Sequence, residues 1–209
     1  YTLIMNWDGV TVRVDWTRCS RRRWPPARRL AFTPQERRKA RNVLLYWWAG
    51  RGERRIPSGL VPIHAGLCHW ARPGWTYECT QASGNPLGVT AIHFDLLNAG
   101  GEVIPPDAEH LPPEQLAVRS PRLVDEISRW IAERSLDQRT GMAFAPEIER
   151  AANNLLRGLL MKLDHDTPSG DTVLGSGGEG AWRQLTDYIQ EHLQDLGGVA
   201  HLAEKAGYT

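Results

Sequence analysis

Long hydrophobic runs are missing from this chain of 209 residues. The longest mainly apolar stretch, VLLYWWAG (Val43 to Gly50), is far too short to cross a bilayer, and no signal peptide opens the sequence. Cysteine is scarce. Cys19, Cys68 and Cys79 are odd in number and form no Cys-x-x-Cys, which suits a reducing cytoplasm better than a disulfide framework. The common catalytic fingerprints are absent as well: there is no Gly-x-Ser-x-Gly elbow, no phosphate-binding glycine loop and no Gly-rich dinucleotide turn. Cys68 and Cys79 read as buried, inert thiols, because nothing near them in sequence argues for a lowered thiol pKa.

What is present is an ordinary soluble composition, 41% hydrophobic and 23% charged, enough for one good core and a smaller piece. The net charge of +1 conceals an asymmetry: residues 1–55 carry fourteen Lys+Arg against four Asp+Glu, and the remainder is acidic. The basic part also holds Trp7, Trp16, Trp24, Trp47 and Trp48. Arginines interleaved with tryptophans either bind nucleic acid or clamp an anionic small molecule. The plainer reading makes RRRWPPARRL (Arg21 to Leu30) a solvated, proline-broken loop and the tryptophans core, with one or two arginines left for a ligand.

The first 95 residues read as short strands between turns. GVTVRVDWTR (Gly9 to Arg18) is rich in β-branched residues, NVLLYWWAG is a buried strand ending in a Gly-x-Gly turn, and PLGVTAIHFDLL (Pro86 to Leu97) is the last clear strand. This spacing predicts a sandwich or barrel. After the Pro-rich connector EVIPPDAEHLPPEQ the apolar period becomes helical. Leu123, Val124, Ile127, Trp130 and Ile131 share one helix face. A second helix, from about Pro146 to Asp164, puts Ile148, Ala152, Leu155, Leu159 and Leu163 on a stripe wide enough for its own core and for a second copy of the chain. DTPSGDTVLGSGGEG (Asp166 to Gly180) reads as a flexible linker, and a further helix and a short one follow, broken at Gly197-Gly198.

Two stretches together resemble the AraC family of bacterial transcription regulators. The ending LTDYIQEHLQDLGGVAHLAEKAGYT resembles that family's first helix followed by the leading helix of its first helix-turn-helix. Leu202 and Ala206 supply the apolar pattern, Ala203 lets the helices approach, Gly207 makes the tight turn, and Thr209 would cap the recognition helix. The chain begins with Tyr1 rather than Met and so reads as trimmed at both ends, before any DNA-reading residue. Residues 181–209 hold only Arg183 and Lys205 against four acidic residues, so this fragment alone is expected to bind DNA poorly. The second stretch, LLYWWAGRGE to PIHAGLCHWARPGWTYECT to PLGVTAIHFD, resembles the family's small cupin barrel.

The resemblance implies a mixed β-then-α chain: a cupin-like β-barrel (double-stranded β-helix) over residues 1–113 and a helical dimerisation region over 114–165. A linker over 166–180 and the first helices of a truncated helix-turn-helix domain over 181–209 complete it. It also implies a cytoplasmic homodimer that binds a small-molecule effector and reads DNA through the complete C-terminal domain. The metal pattern of cupin enzymes is not met. The first histidine is His64, so the early His-x-His is missing. Tyr77 stands where a later ligand belongs, and His64 and His69, five apart in a strand region, point to opposite faces. No metal, cofactor or catalytic residue is therefore expected.

A small barrel can hold one ligand in its mouth. Strand alternation puts Val89, Ala91 and His93 on one face of the last strand, and Thr90, Ile92 and Phe94 on the other. By resemblance the His93 face looks into the barrel. Tyr77 and Cys79 join it from the strand after the Gly74 turn, Trp16 or Arg18 from the first strand, and Tyr46 or Trp48 from the strand before Gly50. The tryptophans and arginines make a carbohydrate or sugar acid the expected effector. The alternative is a cupin enzyme acting on a sugar, or a free-standing small-molecule-binding cupin.

Overall fold

The computed structural model describes residues 5–24, 30–31, 41–56, 59–74, 78–106, 111–139 and 145–167; of residues 30, 31, 56, 78 and 136–139 only the backbone is described. The chain divides into Tyr1–Gly170 and Asp171–Thr209, and every described residue lies in the first unit.

Among the described residues ten strands come first: β1 (Thr11–Val14), β2 (Ser20–Arg23), β3 (Leu30–Ala31), β4 (Asn42–Ala49), β5 (Arg51–Ile56), β6 (Gly59–His64), β7 (Cys68–Ala71), β8 (Glu78–Gln81), β9 (Gly88–Leu97) and β10 (Gln115–Leu116). Two helices follow, α1 (Pro121–Arg139) and α2 (Pro146–Asp166). Every ladder is antiparallel. One sheet runs β1-β9-β4-β7-β10, with β2 also paired to β9, and the other runs β3-β8-β5-β6. Among the described residues no ladder joins the two sheets; the described strands form two antiparallel sheets that share an apolar layer.

The position of β4 explains its composition. NVLLYWWA lies between β9 and β7, with the second sheet against one face and the helices against the other, so its apolar run is continuous. Val43, Leu45 and Trp47 enter an inner core between the sheets, with Ile63, Ala71, Cys79, Leu87 and Val89; Trp24 closes edge-on against Trp47 at 5.7 Å between centroids. Leu44 and Tyr46 enter an outer core with Trp70, Ile92 and Phe94 beneath the helices.

Between β4 and β5 the backbone passes through Gly50 at φ 85°. A Cβ there would lie 2.3 Å from the Pro86 carbonyl oxygen, so glycine is required by both conformation and space. Gly88 does the same for packing: a Cβ would come within 2.6 Å of the Trp48 ring.

Helix α2 starts as its sequence dictates, with proline in the first turn, Glu147 and Glu149 beside it, and an extended Ala145 before it. Its Ala152, Leu156, Leu159, Leu160 and Leu163 are buried in the outer core. The N-terminal segment is clamped onto it: Arg157 donates to the Trp7 and Val10 carbonyls at 2.7 Å, and Trp7 Nε1 donates to Asp164 at 3.0 Å. Burial raises the Asp164 carboxyl above its ordinary pKa, and the Trp7 hydrogen bond acts against that rise.

Two sequence expectations are corrected. The first strand ends at Val14, because the Asp15 carboxylate accepts from Thr17 N and Oγ1 and turns the chain, so Trp16 and Arg18 lie in a turn. Arg21 to Arg23 are not loop but strand β2, paired with Thr90, Val89 and Gly88. Of the stripe expected on α2, Ala152, Leu159 and Leu163 are buried in this chain's own core. Ile148 and Leu155 remain half-buried.

Candidate site on the inner face of the first sheet

Strand parity sets which side chains the two sheets enclose. On β9, Val89 and Ala91 pack into the inner core while Ile92 and Phe94 pack under the helices, so the His93 side is the face toward the second sheet. Cys79 reaches the same layer from β8 and is fully buried. Tyr77, the other residue expected there, lies outside the described residues.

Tyr46, Trp48 and Trp16 do not face this layer. All three pack with the outer core: the Tyr46 hydroxyl donates to the Pro121 carbonyl at 3.2 Å, and the Arg21 guanidinium stacks 4.5 Å from the Trp48 ring. Burial raises the Tyr46 hydroxyl pKa, with the Asp125 carboxylate adding to the rise. Both faces of β4 are apolar and buried. The sequence offered no reason to choose Trp47, which is the tryptophan that faces inward.

The inner layer carries polar groups that sequence reasoning missed. Trp47 Nε1 donates to His69 Nδ1 at 3.0 Å, and His69 is 1% exposed. Burial, and then the nearby Arg54 and His64, lowers the His69 pKa to about 3, so the ring is neutral at pH 7. Arg54 comes from β5, opposite Cys79 on β8 and Val61 on β6, and its buried guanidinium pairs with Glu114 just ahead of β10. The alternation of Arg54 (buried) and Arg55 (exposed) was the available signal, but the partner lies far along the chain.

Toward the β1 end the apolar cover thins. Ala91 and His93 are only half-buried although they share the inner face. His93 stands opposite Val43, and its carbonyl accepts from Asp15 N at 2.7 Å. Burial, and then Arg18 and Arg41, lowers its pKa to about 4, while Asp15 acts in the opposite direction. The charged groups beside it form a chain. Arg13 and Arg41 reach Asp95 at 2.9 and 2.8 Å, Arg41 reaches Asp15 at 3.4 Å, and Arg18 reaches Asp15 at 3.8 Å.

At another place, an open cleft of about 600 Å³ is lined by Gly50, Gly52, Ile63, His64, Ala65 and Asn85, none of them a residue expected to bind ligand. Among the described residues no three His, Cys, Asp or Glu side chains gather as metal ligands, and no helix is long and apolar enough to cross a membrane. Leu202, Ala203, Ala206, Gly207 and Thr209 lie outside the described residues.

Comparison with known proteins is sparse. No family model and no curated protein matches the chain. Among solved structures, it aligns with the AraC-like transcriptional activator CuxR at 13% identity and a TM-score of 0.37, over 87% of this chain and 72% of that one. It also aligns with the coconut allergen cocosin at 16% identity and a TM-score of 0.22, over 78% and 53% of the two chains. Both scores are low.

Proposed function

We propose that this chain is the ligand-sensing part of a dimeric transcription regulator, and that it has no catalytic activity of its own. A small molecule, a sugar or sugar acid, enters between the sheets at the half-buried Ala91–His93 end, and DNA is read through the helix-turn-helix that residues 181–209 begin. The observation that supports sensing is the change along one face of β9 from packed apolar side chains to a half-buried histidine flanked by charged groups. The support for DNA reading is the half-motif at Leu202 to Thr209. The inner layer is also linked to the end of α2. Glu114, paired with inner Arg54, precedes β10, and Ala117 N just after β10 donates to Thr167 Oγ1 at the end of α2 at 2.9 Å. With Ala152, Leu159 and Leu163 buried, dimerisation falls to the half-buried Ile148 and Leu155 and to their exposed neighbours.

The test is to read the gene onward from the codon for Thr209 and to run the complete encoded protein through selection from random duplex DNA at low salt, where phosphate contacts are strongest. An enriched sequence motif supports a regulator. Recovery of no motif would sink the DNA half of the proposal and leave a free-standing binding protein.

A further inference from the structure

The charged chain beside His93 has a definite charge and a definite opening. Among the described residues, Arg13, Arg18 and Arg41 face Asp15 and Asp95, so three cations meet two anions and one positive charge is left over. Arg41 bridges both carboxylates, whereas Arg18 stands off from Asp15 at 3.8 Å, beyond hydrogen-bond distance, with its side chain 43% exposed. On His93 the two ring nitrogens differ. Nδ1 is buried and meets no hydrogen-bond partner among the described residues, so the nitrogen within reach on this half-buried ring is Nε2. A buried N–H without an acceptor is a rarer and costlier arrangement than an unfilled lone pair. The single proton of the neutral ring therefore belongs on Nε2, directed toward the open side. Next to it, Ala91 is small and half-buried, and Val43 stands across the ladder from His93 itself, which gives a ligand body an apolar floor.

We propose that this end of the inner face is a carboxylate site, in which His93 Nε2–H donates to a carboxylate oxygen while Arg18 and Arg41 supply the charge. The ligand body lies over Ala91 and Val43. The proposal deepens the sensing reading and rests on it. One surplus positive charge matches a monocarboxylate and not a phosphate dianion, and guanidinium groups suit the planar two-oxygen geometry.

Isothermal titration of the full chain distinguishes this inference from the reading beneath it. The probes are two acid–neutral pairs, galacturonate with galactose and benzoate with benzyl alcohol. At least one acid is expected to bind, with its neutral counterpart weaker by about tenfold or more, the loss of one charge-assisted hydrogen bond. Arg18→Gln and Arg41→Gln should each weaken the acid by a similar factor. Arg18→Gln is the decisive variant because its exposed side chain is dispensable for folding, and Arg122→Gln, with its side chain exposed at the start of α1, should change nothing. If a neutral probe binds as tightly as its acid, or if neither arginine variant weakens the acid, the carboxylate site is overturned and the sensing reading stands. If none of the four probes binds, both fall.

Discussion

Lowering the pH should unfold this protein through two imidazoles held neutral, buried His69 and half-buried His93, and His93→Gln isolates the contribution of one of them. His69 and His93 are held at about 3 and about 4 in the folded chain, chiefly by burial, against 6.5 for a free histidine. Because both values are lowered on folding, the unfolded chain binds more protons below pH 6.5. The stability associated with neutral burial is complete above that value and is lost as the pH falls toward the folded pKa. Each group then removes up to about 1.4 kcal/mol per pH unit. By pH 4 the loss from His93 reaches about 3 kcal/mol, and His69 adds about as much again. Together that is comparable with the whole stability of a typical domain, about 5–15 kcal/mol. Urea unfolding followed by tryptophan fluorescence at pH 7, 6, 5 and 4.5 gives the stability at each pH. The carboxylates contribute alike to the parent and to His93→Gln, so the difference between the two slopes reports the imidazole. The slope for His93→Gln should be shallower by about 1 kcal/mol per unit between pH 6 and 4.5. Parallel curves would refute the claim that folding holds His93 neutral.

Other outcomes follow from the packing. Leu156→Ala, at 0% exposure between α2 and the outer core, should lower stability by about 2–5 kcal/mol in denaturant titrations. Glu114→Gln removes the anion facing buried Arg54. A loss of about 3 kcal/mol is expected, toward the low end for broken buried pairs because Glu114 is 21% exposed, and Arg54→Met in the same chain should recover much of it. Gly50→Ala forces a side chain onto φ 85° against the Pro86 carbonyl, so thermal unfolding should show a loss of more than about 1 kcal/mol.

Sequence alone determined the order of strands followed by two helices, the start of α2 at Pro146 and the two-sided burial of β4. It also determined which residues of β9 share a face. These follow from local periodicity, from proline and glycine stereochemistry and from apolar run length, all of which act within a few residues. Tertiary structure decided what each face meets. On β4 both parities are apolar, so only the packed sheets show that Trp47 joins the inner core while Tyr46 and Trp48 lie under the helices. On α2 the same stripe could serve a core or a dimer, and the first sheet claimed Ala152, Leu159 and Leu163. The pairings of Arg54 with Glu114, of Arg41 with Asp15 and Asp95, and of Trp47 with His69 join strands or loops distant in sequence. No local pattern encodes such pairs, because charge and hydrogen bonding are satisfied by whatever the fold brings near. His93 combined both: its face was legible from alternation, and its half-open, arginine-flanked surroundings came only from the fold.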